Sequence, residues 1–109
     1  MEKIAKVTEI SPGTMKAFIA GGRSILVANV AREFYATDAM CPRGGCYLPN
    51  GALEKNILTC PVHGAKFDVT TGVAAKNITP EDKQIANGQA ENLISYRLQV
   101  NGEDIFIEI

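Results

Sequence analysis

Apolar residues along this chain gather in runs of five to eight residues, several of them alternating with polar ones and parted by turn formers, the pattern of strands. Ala5 to Ile10 and Met15 to Ala20 are two such runs, separated by Ser11-Pro12-Gly13. Gly21-Gly22 then leads into Arg23 to Val30, and the glycine pair predicts a hairpin. Glu33 to Thr37 reads as a further strand that delivers the chain to Cys41. At the far end, Ser95 to Val100 and Asp104 to Ile109 alternate around Asn101-Gly102, which predicts a second hairpin. Between Cys41 and Thr71 the runs shorten to Gly51-Ala52-Leu53, Asn56 to Thr59 and Ala65 to Asp68. Asn77 to Asn92 is polar and aperiodic and is read as a loop, with one short helical turn in which Thr79 caps and Pro80 takes the first helical position ahead of Glu81 and Asp82. No internal repeat or linker interrupts the pattern, so residues 1–109 are expected to form one all-β domain.

Composition narrows the function. A chain of 109 residues is long enough for a core and short enough that a metal site would contribute noticeably to stability. Eleven Lys and Arg against twelve Asp and Glu leave a net charge of −1 without a basic run, which argues against nucleic-acid binding. No apolar stretch approaches the roughly 20 residues of a membrane helix, and the start lacks a secretory signal, so a cytoplasmic protein with no membrane partner is expected. Three cysteines, an odd number, suit thiolate ligands in a reducing compartment better than a disulfide framework. Neither a Ser-His-Asp arrangement nor a phosphate-binding glycine loop is present, and an enzyme is not expected.

The candidate chemistry lies in two loops, Cys41-Pro42-Arg43-Gly44-Gly45-Cys46-Tyr47-Leu48 and Cys60-Pro61-Val62-His63-Gly64. Together they hold all three cysteines and the sole histidine. Isolated cysteines are often no more than small buried hydrophobes, but this clustering on Gly- and Pro-rich turns points to one metal site. Cys60 and His63 form a conceivable nucleophile and base, yet a Cys-x-x-His pair on such a turn is more often ligation than catalysis.

The second loop, continuing through Ala65-Lys66-Phe67-Asp68 to Thr71-Gly72, resembles the second cluster loop of the Rieske ferredoxins. In that family the first loop is Cys-x-His-x-Gly followed by Leu, and the two loops hold a [2Fe-2S] cluster with two Cys on one iron and two His on the other. Cys41, Gly45 and Leu48 match, whereas Arg43 stands at the first histidine position. A guanidinium stays protonated and has no lone pair to give a metal. Cys46, three residues on, sits where high-potential members carry a cysteine that pairs by disulfide with a residue beside the second histidine, a place held here by Val62. Cys46 is therefore either a spare thiol or the fourth ligand. As a ligand it completes Cys-x4-Cys and Cys-x2-His, a Cys3His set of Cys41, Cys46, Cys60 and His63 whose spacing also fits zinc knuckles and ribbons. Such a set holds either a [2Fe-2S] cluster or a single tetrahedral Fe or Zn ion. The Pro-Arg-Gly-Gly segment is an unusual replacement for a histidine turn, natural or engineered.

The resemblance implies an antiparallel β-sandwich or partly open barrel, with a small zinc-ribbon-like metal-binding subdomain inserted over about residues 38–73. Tyr96, Leu98, Val100 and Ile105 around Asn101-Gly102 also look like the closing hairpin of that fold. High-potential members carry a Ser two residues and a Tyr four residues after the second His, whose hydroxyls stabilise the reduced cluster. Ala65 and Phe67 stand there instead, so the resemblance is to low-potential ferredoxins that exchange single electrons with a reductase or an aromatic-ring oxygenase. Pro42, Arg43 and Pro61 would then face the redox partner. The alternatives are a mononuclear Fe or Zn site on the same scaffold, and a metal-free domain kept as a binding module.

Overall fold

Ile25, Leu26, Val27 and Ala28 are all buried, and four consecutive buried residues in a strand require cover on both of its faces. The computed structural model describes residues 1–41, 47–61, 64–74 and 92–109. Its strands are β1 (Glu2–Lys6), β2 (Met15–Ala20), β3 (Arg23–Val30), β4 (Glu33–Asp38), β5 (Ala52–Glu54), β6 (Ile57–Thr59), β7 (Lys66–Asp68), β8 (Ser95–Tyr96), β9 (Leu98–Asn101) and β10 (Asp104–Ile107). They form three sheets, in the orders β1-β10-β9, β2-β3-β4-β8 and β5-β6-β7, and every pairing is antiparallel.

β3 lies in the middle of the fold. Ile25 and Val27 pack with Ala5, Ile10, Ala20, Ala36, Ile105 and Ile107, which closes the first sheet over the second. Leu26 and Ala28, on the opposite face, pack with Leu48, Leu58, Phe67 and Val69 from the region of the third sheet. The result is a layered all-β architecture of open sheets. Among the described residues each sheet ends on two unjoined edges, which agrees with the open, layered form expected and not with a closed barrel.

Three local readings change. The predicted strand Ala5 to Ile10 begins earlier, at Glu2, and ends at Lys6, after which Val7–Glu9 form a tight 3-10 turn. Glu9 turns the chain by accepting a hydrogen bond from the Lys6 backbone N–H at 2.9 Å, while the Val7 N–H donates to the Glu103 carbonyl at 2.8 Å. Ser95 to Val100 is two strands rather than one: Ser95 and Tyr96 pair with Thr37 and Ala36 in the second sheet, and beyond Arg97 the chain passes into the first. The strand read over Ala65–Asp68 starts at Lys66, although the Cys60 N–H bond to the Ala65 carbonyl continues the Thr59–Lys66 register by one pair. The loop and helical turn read over Asn77–Asn92 lie outside the described residues except for Asn92, whose side-chain oxygen accepts the Ala74 N–H at 2.9 Å.

The hairpins stand where the glycines put them. Gly21 and Gly22 adopt φ of +57° and +74° between β2 and β3, and Gly102 adopts +65° between β9 and β10. The β3–β4 turn makes the same reversal with Ala31 and Arg32, at φ of 53° and 73°. Buried Asn29 supports it, donating to the Ile10 carbonyl and accepting from the Arg32 N–H, each at 2.8 Å.

Candidate metal centre

The first loop leaves the end of β4 under tight control. The Ala39 N–H donates to the Ser24 carbonyl at 3.0 Å, tying the outgoing chain to β3. Met40 and Tyr47 then face each other as an isolated antiparallel bridge, and the Leu48 N–H donates to the Ala39 carbonyl at 2.8 Å. Cys41 follows that closure directly and is buried. Leu48, with none of its surface exposed, pins the returning chain into the core before Pro49 and Asn50 complete a 3-10 turn.

The second loop is closed by its own ends. The Cys60 N–H donates to the Ala65 carbonyl at 2.7 Å, and the Gly64 N–H donates to the Cys60 carbonyl at 3.1 Å. Gly64 has φ of +70°, the left-handed region that a residue with a side chain enters at a cost. Downstream, Asp68 holds the exit turn by accepting from both the N–H and the hydroxyl of Thr70, at 3.0 and 2.6 Å. Burial pushes the Asp68 carboxyl up, but these bonds and one from Asn56 outweigh it and hold the group below its ordinary value.

Gly51 joins the two loops. A Cβ there would lie 2.0 Å from the Thr59 carbonyl oxygen and 3.1 Å from both Pro61 Cδ and the Leu48 carbonyl oxygen, so the tail of the first loop touches the strand entering the second. Cys41 and Cys60 come from different loops and share one buried cluster with Leu48, Leu58, Ala65 and Phe67, at 3 and 2 % exposure. Cys41 carries a free thiol as expected, whereas Cys60 carries a sulfur–sulfur bond where the cysteine count favoured a thiolate. This end of the fold therefore gathers cysteine sulfur out of water: Cys41 offers a thiol, Cys60 offers a second once its sulfur–sulfur bond is reduced, and a soft, thiolate-binding metal group fits that reduced donor chemistry.

Cys46, His63, Arg43 and Pro42 lie outside the described residues. Among the described residues no three His, Cys, Asp or Glu side chains converge as a metal-binding group. Those residues thus supply two cysteines and the frame around them. Ala65 and Phe67 are buried against that frame, and neither side chain has a hydrogen to donate to sulfur.

Two parts of the frame escaped the sequence reading. The approach at Gly51 is one, and its only sequence signal was an Asn-Gly pair. The other is the segment Leu93–Tyr96, which spans the roots of both loops. The Leu93 N–H donates to the Gly72 carbonyl at 2.7 Å on the second-loop side, and the Asp38 N–H donates to the Ile94 carbonyl at 3.0 Å on the first-loop side. The Tyr96 hydroxyl donates to Asp38 Oδ1 at 2.5 Å, and burial together with that carboxylate pushes the phenol up to about 12.

Known proteins are similar to this chain in sequence and fold. The model of the Rieske [2Fe-2S] domain matches residues 1–97. The ferredoxin component of biphenyl 2,3-dioxygenase from Rhodococcus jostii (strain RHA1) is 31% identical over 109 residues, covering 100% of this chain and 92% of that protein. The ferredoxin component of the naphthalene 1,2-dioxygenase system from Pseudomonas aeruginosa is 28% identical over 101 residues, 93% of this chain and 88% of that one. Among solved structures, a chain in the complex of reduced oxygenase and oxidized ferredoxin in carbazole 1,9a-dioxygenase superposes with a TM-score of 0.79 at 26% identity, covering 96% of this chain and 89% of that chain.

Proposed function

This chain belongs to the Rieske [2Fe-2S] domain family, and on that footing we propose that it is a one-electron carrier serving an oxygenase, its cluster held by Cys41, Cys46, Cys60 and His63. The observation that carries the reading is the joining of two closed loops through Gly51, with Cys41 and Cys60 buried together beneath them. Bound there, a [2Fe-2S] cluster supplies a single-electron couple.

The chain's own residues do the rest. Cys41 and Cys60 present sulfur from a dry pocket, and Leu48, Leu58 and Phe67 keep water from it. His63 takes the place that the family gives its second histidine. Arg43 has no lone pair to offer, and Cys46 takes over as the nearest donor on the same loop. A thiolate in place of a neutral imidazole adds negative charge and disfavours reduction. With Ala65 and Phe67 unable to donate to sulfur, both features set a low potential.

The relatives named above are components of dioxygenase systems, and the carbazole complex pairs a ferredoxin with its oxygenase. The partner of this chain is accordingly an oxygenase, with a reductase supplying the electron. No helix among the described residues is long and apolar enough to cross a membrane, and the thiolate-rich site fits the reducing cytoplasm.

Metal and acid-labile sulfide, measured on protein purified without added metal, test the reading. Two irons and two sulfides per chain are expected, whereas one metal without sulfide, or no metal, would overturn it. Cys46→Ser then tests the ligand set: it should lose the cluster, and Arg43→His on that background should restore a cluster with the electron paramagnetic signature of two-histidine ligation. Full cluster retention and an unchanged spectrum in Cys46→Ser would remove Cys46 from the set.

A further inference from the structure

Resting on that reading, we propose that a recess beside the first loop, lined by Arg23, Ser24, Asp38 and Met40, is the port at which an acidic partner surface docks to exchange electrons. The recess measures about 270 Å³. Its lining comes from the β2–β3 hairpin and the end of β4.

Position is the first argument. Met40 precedes Cys41 in the chain, about 3.8 Å from it between Cα atoms, and is bridged to Tyr47 across the mouth of the first loop. The Ala39 N–H bond to the Ser24 carbonyl fixes the other wall against β3. A group seated in the recess is therefore one residue from a thiolate ligand.

Charge is the second argument. The recess contains one acid and one base, but the acid is already engaged by the Tyr96 hydroxyl. The Arg23 guanidinium lies over the Tyr96 ring at 6.0 Å and makes no ion pair among the described residues. On a chain of net charge −1 it is a local cation open to a carboxylate. Around it, Met40 and Ile94 are 44 and 52 % exposed, and the Ile94 backbone is bonded to Asp38. An arginine beside exposed apolar side chains, methionine among them, has the composition of an interface centre. The matching partner surface presents a carboxylate flanked by apolar side chains.

Small redox probes of opposite charge test the port. The dithionite-reduced protein is mixed in a stopped-flow instrument with ferricyanide, a trianion, or with the tris-phenanthroline cobalt(III) cation. Each oxidant takes one electron from the protein and becomes ferrocyanide or the cobalt(II) complex. Arg23→Glu is compared with Arg32→Glu, which changes the net charge equally from the far end of β3, roughly 25 Å away at strand spacing. Two charge units acting on a trianion at about 10 Å, screened at 0.1 M salt, change the rate about five-fold. Arg23→Glu should slow ferricyanide by that factor and speed the cobalt cation, Arg32→Glu should change neither by as much as two-fold, and the contrast should vanish at 1 M salt. Equal effects of the two variants would overturn the port and leave the electron-carrier reading standing. If no reducible visible chromophore is found, both fall. Should Arg23→Glu alter the visible spectrum, Arg23→Gln replaces it, with about a two-fold slowing expected and no slowing refuting the port.

Discussion

Replacing Gly51 with alanine should force the two loops apart. The backbone angles of Gly51, φ −84° and ψ −155°, are open to alanine, so conformation is no obstacle. The obstacle is steric: the new Cβ would lie 2.0 Å from the Thr59 carbonyl oxygen, where ordinary contact begins at 3.4 Å, and the strands must separate by about 1.4 Å. A backbone oxygen in β6 cannot swing aside as a flexible side chain can. Overpacking costs about 1–3 kcal/mol, and this site belongs at the upper end, about 3 kcal/mol. For a chain of 109 residues, at about 2 cal/mol/K of unfolding entropy per residue, that lowers the melting temperature by about 14 °C. Iron per chain should fall as well, because the cysteines on either side of the joint move apart. Thermal unfolding and iron content are read together, with Gly102→Ala as the comparison. A Cβ at Gly102 meets nothing within 4 Å and only φ of +65° opposes it, a cost of about 1 kcal/mol with iron content unchanged. Should Gly51→Ala melt within about 3 °C of the parent with its full complement of iron, the loops are not joined through this contact.

Two further outcomes concern the frame. Ala31→Asn combined with Arg32→Gly places residues suited to positive φ in the β3–β4 turn, and should raise the melting temperature by about 5 °C, for a gain of about 1 kcal/mol. Tyr96 is held neutral by the fold up to about 12, above the roughly 10 of an unfolded chain, so the folded state binds the extra proton in that window. Its contribution is complete below about pH 10 and lost as pH rises toward 12, and Tyr96→Phe should flatten that part of a denaturant-midpoint profile.

Much of the fold could be read from period and punctuation. Met15–Ala20 and Arg23–Val30 stand at the bounds expected, because Gly21-Gly22 leaves the chain one economical way to reverse. The readings that moved did so through contacts between residues distant in sequence. Ser95 to Val100 alternates without a break, yet Arg97 is where the chain changes sheets, and only the positions of β4 and β10 decide that. Likewise, Ala5 to Ile10 carries a strand pattern, but Glu9 and the Glu103 carbonyl claim backbone N–H groups that a longer strand would have used. At the site, loop clustering made Cys41, Cys46, Cys60 and His63 candidates; Cys41 and Cys60 are the two among the described residues, and the fold buries both. The crowding at Gly51 and the bridging by Leu93–Tyr96 left almost no trace in the sequence, since each depends on a backbone atom of a remote residue and not on a residue type.

The pairing of β1 with β10 also governs how the molecule comes into being. Lys6 faces Asp104 and Glu2 faces Ile107, so the first sheet requires strands from the two extremes of the described chain. Contacts of such long range are entropically expensive to close and form late. During synthesis at about 5–20 residues per second, several seconds separate the emergence of Cys60 from that of β10. Through that interval the thiols are on a nascent chain without the layer that closes over β3. Their reduced state then depends on the surrounding redox buffer until β10 pairs with β1 and closes the first sheet over β3.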